Sequence, residues 1–217
     1  MNTRPTVLIT GASTGIGAIY AERFAQRGHD LVLVARDRAR LDALAARLHS
    51  EHGVAVDVMT ADLTQLSDLT TVESRLRDDA RIGILINNAG AALSGNFIEQ
   101  STDSVAQLVA LNTTALVRLA SAIAPRLAKT GDGAIINIGS VVGLAPEFGM
   151  TVYGATKLSC CSCPRPEPGT VAPGRVRAGR TAGRHPHGNL GPLRRRHQHP
   201  GRNHGSGRSG GRRAGRL

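Results

Sequence analysis

The chain has 217 residues and a formal net charge of +11, but residues 1–157 carry 14 Lys+Arg against 15 Asp+Glu, whereas residues 158–217 carry 13 Arg against a single Glu. The basic character therefore belongs to the last sixty residues, which also hold 12 of the 26 glycines and 7 of the 10 prolines, while all five aromatic residues (Tyr20, Phe24, Phe97, Phe148, Tyr153) precede them. No cysteine occurs before Cys160, which excludes a disulfide framework in the body, and the amino-terminal apolar run Val7-Leu8-Ile9 falls far short of the roughly 7 to 15 residues of a signal-peptide core or the roughly 18 of a membrane span, so a soluble cytoplasmic protein is expected.

Taken in chain order, Thr6 to Ile9 reads as a buried strand. A glycine loop, Gly11 to Gly17, opens a helix over Ile16 to Arg27, closed by Gly28 where a left-handed backbone is easiest. Leu31 to Val34 is a second strand, and Asp37 caps a helix that presents Leu41, Leu44 and Leu48 on one face. Val54, Val56 and Val58 alternate as a third strand. Leu69, Val72 and Leu76 mark the next helix, and Ile82 to Ile86 is a fourth strand running into Asn87. A long helix follows, capped near Thr102 or Asp103 and carrying Val105, Leu108, Asn112, Leu116, Leu119 and Ile123. Ala134 to Ile138 is a fifth strand, and a last helix begins near Thr151. Alternating strands and helices with near-continuous apolar strands predict an α/β doubly wound parallel sheet, here of about five strands within residues 1–157. Ligands in such sheets sit at the carboxyl ends of strands.

The chemistry-bearing residues fall at those ends. Gly11-Ala12-Ser13-Thr14-Gly15-Ile16-Gly17 follows a strand and precedes a helix, the context in which missing side chains let backbone N–H groups and a helix amino terminus meet phosphates. Its spacing is G-x3-G-x-G rather than the commoner G-x-G-x-x-G, and a merely tight turn is the bland alternative. The end of the second strand, where an acid would hold the ribose hydroxyls of NAD, carries Ala35 and then Arg36, a guanidinium suited to a phosphate. NADP(H) is therefore favoured over NAD(H), with Asp37 the dissenting residue. Tyr153 and Lys157 lie one helical turn apart with Ser140 upstream. A phenol titrates near 10, too high for proton exchange near neutrality, and an adjacent ammonium favours its ionised form. Ser140 can hydrogen-bond a substrate oxygen as charge develops. Asn112 in mid-helix, taken alone, reads more readily as a tolerated polar residue than as a catalytic one.

Together these residues resemble the short-chain dehydrogenase/reductase family over about residues 5 to 157. Thr10 to Gly17 resembles the family's cofactor loop, Asp62 before Leu63 its adenine-contacting acid, and Asn87-Asn88-Ala89-Gly90 the turn that supports the sheet beside the cofactor. Asn112, Ser140, Tyr153 and Lys157 are similar to its catalytic tetrad. The resemblance implies that Tyr153 is the general acid/base, that Ser140 orients the substrate, and that Lys157 lowers the tyrosine pKa and holds the nicotinamide ribose. Asn112 would position a water linking Lys157 to solvent. It also implies a small carbonyl or alcohol substrate and a homo-oligomer built on the Asn112 and Tyr153 helices.

Residues 158–217 depart from the family. They show neither a period of two nor of 3.6, and their composition predicts a disordered basic tail. Two explanations stand: a natural low-complexity extension, and a slipped reading frame. Read one base later with GC-rich codons, Arg180 to Pro192 can yield Val-Leu-Pro-Gly-Ala-Thr-Arg-Thr-Glu-Ile-Trp-Asp, and Arg165 to Ala172 can yield Gly-Leu-Asn-Gln-Glu-Leu-Ser-His, both family-like. A frame change between about Leu158 and Arg165 is the favoured expectation. It carries with it exposed apolar surface, poor solubility and weak turnover, or a cofactor-binding remnant without catalysis. Arg194-Arg195-Arg196 and Arg212-Arg213 would attract phosphate, but no aromatic is interleaved for base stacking, so no specific nucleic acid is expected. Cys160, Cys161 and Cys163 with His185, His187, His197 and His199 match no closed metal-site spacing; an exposed, oxidation-prone cysteine cluster is expected instead, and no metal.

Overall fold

The computed structural model describes residues 4–93, 96–144 and 150–160. The expected frame change, between about Leu158 and Arg165, lies outside the described residues beyond Cys160, as do the arginine blocks and the histidines of the tail.

Five strands, β1 (Thr6–Thr10), β2 (Leu31–Ala35), β3 (Val56–Thr60), β4 (Ile82–Asn87) and β5 (Ala134–Asn137), form one parallel sheet in the order β3-β2-β1-β4-β5. The order reverses beside β1, which places a switch point between the ends of β1 and β4. Helices α1 (Gly15–Ala25), α2 (Arg38–His52), α3 (Leu66–Asp78), α4 (Thr102–Val109), α5 (Leu116–Thr130) and α6 (Thr151–Ser159) complete the fold.

The period of two in the strands divides the core into two layers. Leu8, Val32, Val34 and Leu85 face one way and pack with Leu69, Val72 and Leu76 of α3 and Leu119, Ile123 and Leu127 of α5. Val7, Ile9, Leu31, Leu33 and Ile86 face the other way, against Ala21 and Ala25 of α1 and Leu41, Leu44 and Leu48 of α2. Each buried leucine or isoleucine contributes about 1.5–3 kcal/mol relative to exposure, so removing one side of a strand breaks a layer. The residues Thr102–Thr130 are long and apolar enough to cross a membrane by length and composition, but in this fold Leu116, Leu119, Ile123 and Leu127 are buried against the sheet. Buried Glu73 on α3 accepts from Nε and Nη2 of Arg118 on α5, the latter at 3.0 Å, which holds the Glu73 carboxyl below its ordinary range.

Element boundaries differ from expectation for local reasons. Gly28 takes φ +74° as foreseen, and Asp37 is the cap of α2, its carboxylate accepting from Arg40 N–H at 3.0 Å. The long helix starts one residue early, because Ser101 is its cap and accepts from Ser104 N–H. It is also interrupted: Ala110–Ala115 is a π-helical segment, a wider turn of the kind that concentrates at functional sites.

Candidate active site

The glycine loop is shaped by contacts that no side chain tolerates. Gly11 sits at φ +64°, and a Cβ there would lie 2.9 Å from both Ala89 Cα and Asn88 Nδ2. A Cβ on Gly17 would come within 2.3 Å of Gly11 O. Gly15, at φ +56°, has nothing within 4 Å of its notional Cβ and faces open space at the amino terminus of α1. Thr14 is the N-cap without a side-chain cap bond, and the first turn of α1 carries no acid, so its N–H groups and the positive end of the helix dipole are open to an anion. Ser13 and Ile16 are half-buried beside it.

The turn after β4 braces this loop from behind. Asn88 Nδ2 donates to Thr10 O at 2.9 Å and Gly11 O at 3.1 Å, and the N–H groups of Asn88 and Ala89 both donate to Thr10 Oγ1 at 3.0 Å. Thr10, only 1% exposed, is thus the knot between the two strand ends. Its hydroxyl is the signal that sequence reasoning passed over.

Two of the catalytic candidates, Lys157 and Asn112, meet at Gly90. A Cβ on Gly90 would lie 3.0 Å from Lys157 Nζ and 3.2 Å from Asn112 Oδ1. Asn112, in the π segment and 1% exposed, accepts from Ala91 N–H and donates to Ala91 O, both at 2.9 Å, and donates to Thr156 Oγ1 at 3.0 Å. It is therefore a fastening between the β4 turn and α6 rather than a tolerated polar residue. Lys157 Nζ donates to Ile138 O at 3.1 Å and stands 6.0 Å from the centroid of the half-buried Tyr153 ring. Burial draws the Lys157 amine below its usual range, with the Cys160 thiol acting in the opposite sense.

Ser140 begins the short turn Val141–Leu144, and its hydroxyl accepts from Val142 N–H at 3.4 Å. Two glycines let that turn lie against α6: a Cβ on Gly143 would sit 2.8 Å from Leu158 N, and one on Gly154 would sit 3.3 Å from Val142 O. Neither glycine stands out in the sequence, since the contact each permits is long-range. Asp62, just past β3, spends Oδ1 on the N–H and hydroxyl of Thr64 at 3.0 and 2.8 Å. The Thr64 N–H chiefly, then its hydroxyl and the field of Arg36, hold the carboxyl below its ordinary range against the effect of burial. Leu63 is buried beside it, and Arg36 is exposed at the end of β2.

Cys160 corrects the expected exposed cysteine: it is 3% exposed, because the last turn of α6 points it inward with Sγ 3.8 Å from Thr156 O. Cys161 and Cys163 lie outside the described residues. Glu22, Glu51 and His52 bring three ligand-type atoms within 4.8 Å of one another. Arg47 Nη1 already lies 2.7 Å from Glu22 and 2.8 Å from Glu51, which neutralises the carboxylates without an ion.

Comparisons with known proteins agree with this geometry. The family profile described as short chain dehydrogenase matches residues 5–165. The sulfoacetaldehyde reductase of Chromohalobacter salexigens is 37% identical over 156 residues, covering 70% of this chain and 60% of the relative. The crystal structure of the bulky-bulky ketone specific alcohol dehydrogenase from Comamonas testosteroni superposes with a TM-score of 0.72 at 63% identity, over 73% of this chain and 64% of that one. A short-chain dehydrogenase from Sphingobium yanoikuyae in complex with NADPH superposes with a TM-score of 0.71 at 70% identity, over 71% and 61% of the respective chains. The chain spans between about half and two thirds of the relatives it matches, from 48% of the very-long-chain 3-oxoacyl-CoA reductase-A of Danio rerio to 64% of the Comamonas enzyme. A five-stranded parallel sheet with a glycine loop at its switch point, relatives more than 30% identical and a profile match over residues 5–165 place this protein in the short-chain dehydrogenase family of oxidoreductases.

Proposed function

We propose that this chain binds NADP(H) and interconverts a ketone and its secondary alcohol, with Tyr153 exchanging the proton. The observation that carries the reading is the convergence of Lys157 Nζ and Asn112 Oδ1 on Gly90, one residue from the Ala89 that packs against the glycine loop. The loop fits a dinucleotide, since Gly15 leaves open space above an uncapped helix terminus. Support for NADP(H) comes from Arg36 at the end of β2, from Asp37 being engaged as a helix cap, and from the NADPH complex of the Sphingobium relative. The Comamonas relative supports a ketone as substrate.

When bound, the nicotinamide supplies hydride to the carbonyl carbon or takes it from the carbinol carbon. Tyr153 gives its hydroxyl proton to the substrate oxygen in reduction and takes it back in oxidation. Lys157, anchored on Ile138 O, stabilises the phenoxide left behind. Ser140 donates to the substrate oxygen where negative charge grows. Homo-oligomerisation through the long helix is part of the same reading, supported by Val109 and Val117, which stand 39% and 51% exposed.

The test is titration with NADPH and with NADH, followed by ketone reduction by the wild type and by Tyr153→Phe. NADPH should bind about tenfold tighter or more, the worth of one charge-assisted phosphate contact. Wild-type turnover should be weak, and Tyr153→Phe should lower it by about 10²- to 10⁴-fold with NADPH affinity unchanged. Equal affinity for the two nucleotides defeats the Arg36 assignment, and full activity of Tyr153→Phe defeats the acid/base assignment.

A further inference from the structure

Among the described residues only eight polar or charged ones are buried, and five of them, Asn87, Asn112, Asn137, Thr156 and Lys157, lie on one circuit made of hydrogen bonds and short stretches of backbone. Asn87 and Asn137 are register partners at the ends of β4 and β5. Asn87 Nδ2 donates to Asn137 Oδ1 at 3.0 Å and to Leu116 O at 3.4 Å. Leu116 is the first residue after the π segment that carries Asn112. Asn112 donates to Thr156, whose neighbour Lys157 donates to Ile138 O, and Ile138 N–H donates back to Asn87 O at 2.9 Å. Leu116 O can only accept, which sets the Asn87 nitrogen toward it and toward the Asn137 side-chain oxygen.

We propose that Asn87 and Asn137 are positioning residues: their amide pair anchors the end of the π segment to the sheet, and so sets the Asn112 carboxamide and the Lys157 ammonium against the Gly90 backbone. Neither residue touches the reacting atoms. The pair acts through Leu116 on one side and Ile138 on the other. Its role rests on the reading of Asn112, Tyr153 and Lys157 as the proton relay.

Hydrogen exchange of the full-length chain tests the coupling without requiring turnover. In the wild type under mild denaturant, the amides of 112–116, Ile138 and the first turns of α6 should open as one cooperative unit; separate opening overturns the proposal. Asn137→Leu, isosteric but without the acceptor, should speed exchange across Ala110–Leu116 by about tenfold or more, since it strands a buried donor. Arg75→Ala, which removes an ion pair with Asp57 on the far edge of the sheet, should leave that segment protected. Unchanged protection in Asn137→Leu, or an equal loss in Arg75→Ala, overturns the proposal. In ketone turnover, Asn137→Leu should lower kcat by about tenfold or more while NADPH affinity stays within about twofold; an unchanged kcat overturns it. Absence of NADPH binding by the wild type would instead sink the functional reading, which the exchange data do not depend on.

Discussion

The glycine loop and the helix α6, which carries Tyr153 and Lys157, are two regions built on different principles. At the loop, residues 10 to 17 are nearly continuous in sequence, and the geometry is set by what glycine omits, backed by Thr10 and Asn88. At α6, the candidate catalytic side chains come from three separated segments, the π segment, the turn after β5 and α6 itself, and the contact between that turn and α6 runs through Gly143 and Gly154. Around that contact Val141, Leu144 and Leu158 remain 54%, 51% and 49% exposed. The loop thus has its glycines contiguous and a single distant brace at Asn88 and Ala89, whereas the α6 end is assembled wholly by packing between distant segments.

That contrast can be broken by single substitutions. The largest effect belongs to Gly17→Ala, whose Cβ would stand 2.3 Å from a backbone oxygen that cannot swing aside; a loss of about 3 kcal/mol or more in stability and of NADPH binding is expected, read by thermal melting and titration. Wild-type binding in that variant would mean that the loop is not held by backbone packing. Gly143→Ala should cost about 1–3 kcal/mol and should lower ketone turnover while NADPH affinity stays within about twofold, because it displaces α6 and leaves the loop untouched. Loss of affinity and turnover in equal measure would erase the distinction between the two ends.

A smaller effect, remote from both ends, calibrates them. Asp79 joins α3 to β4 by accepting from Arg81 N–H, Nε and Nη2 at 3.1, 2.9 and 2.8 Å, with Arg75 at 3.1 Å. The Arg81 side-chain bonds, ahead of its N–H and the charge of Arg75, hold the Asp79 carboxyl at about 2, below its ordinary 3.8. Its side chain is 12% exposed, so the shift corresponds to about 2 kcal/mol. A depressed carboxyl stabilises fully above pH 4 and loses that contribution as pH falls toward 2. Asp79→Asn should therefore be less stable at neutral pH by about that amount and should show a shallower acid decline, with NADPH affinity unaltered; denaturant melts from pH 7 to 2 measure it.

The parallel sheet was legible because strand burial and helix periodicity are local signals: Val7 to Ile9, Leu31 to Val34 and the Leu41, Leu44, Leu48 stripe lie where they were expected. So was the loop, whose glycines sit next to one another in the chain. The π segment was not, since Ala110 to Ala115 has ordinary helical composition and widens only where Asn112 reaches Ala91 and Thr156. Thr156, Asn137 and Gly143 escaped notice for the same reason, as did the role of the Thr10 hydroxyl: each matters through a partner far away in sequence. Asn112 was seen, but its burial and its three bonds become evident only when α6 is laid beside it.

The most direct measurement is a crystal structure of the full chain with NADPH. Pyrophosphate over Gly15, the 2′-phosphate at Arg36 and the nicotinamide C4 open to a carbonyl carbon whose oxygen reaches the Tyr153 hydroxyl at about 3 Å are the expected result. Density for the nucleotide elsewhere, or a nicotinamide ring remote from Tyr153 and Lys157, would contradict the assignment of this crevice as the site of hydride transfer.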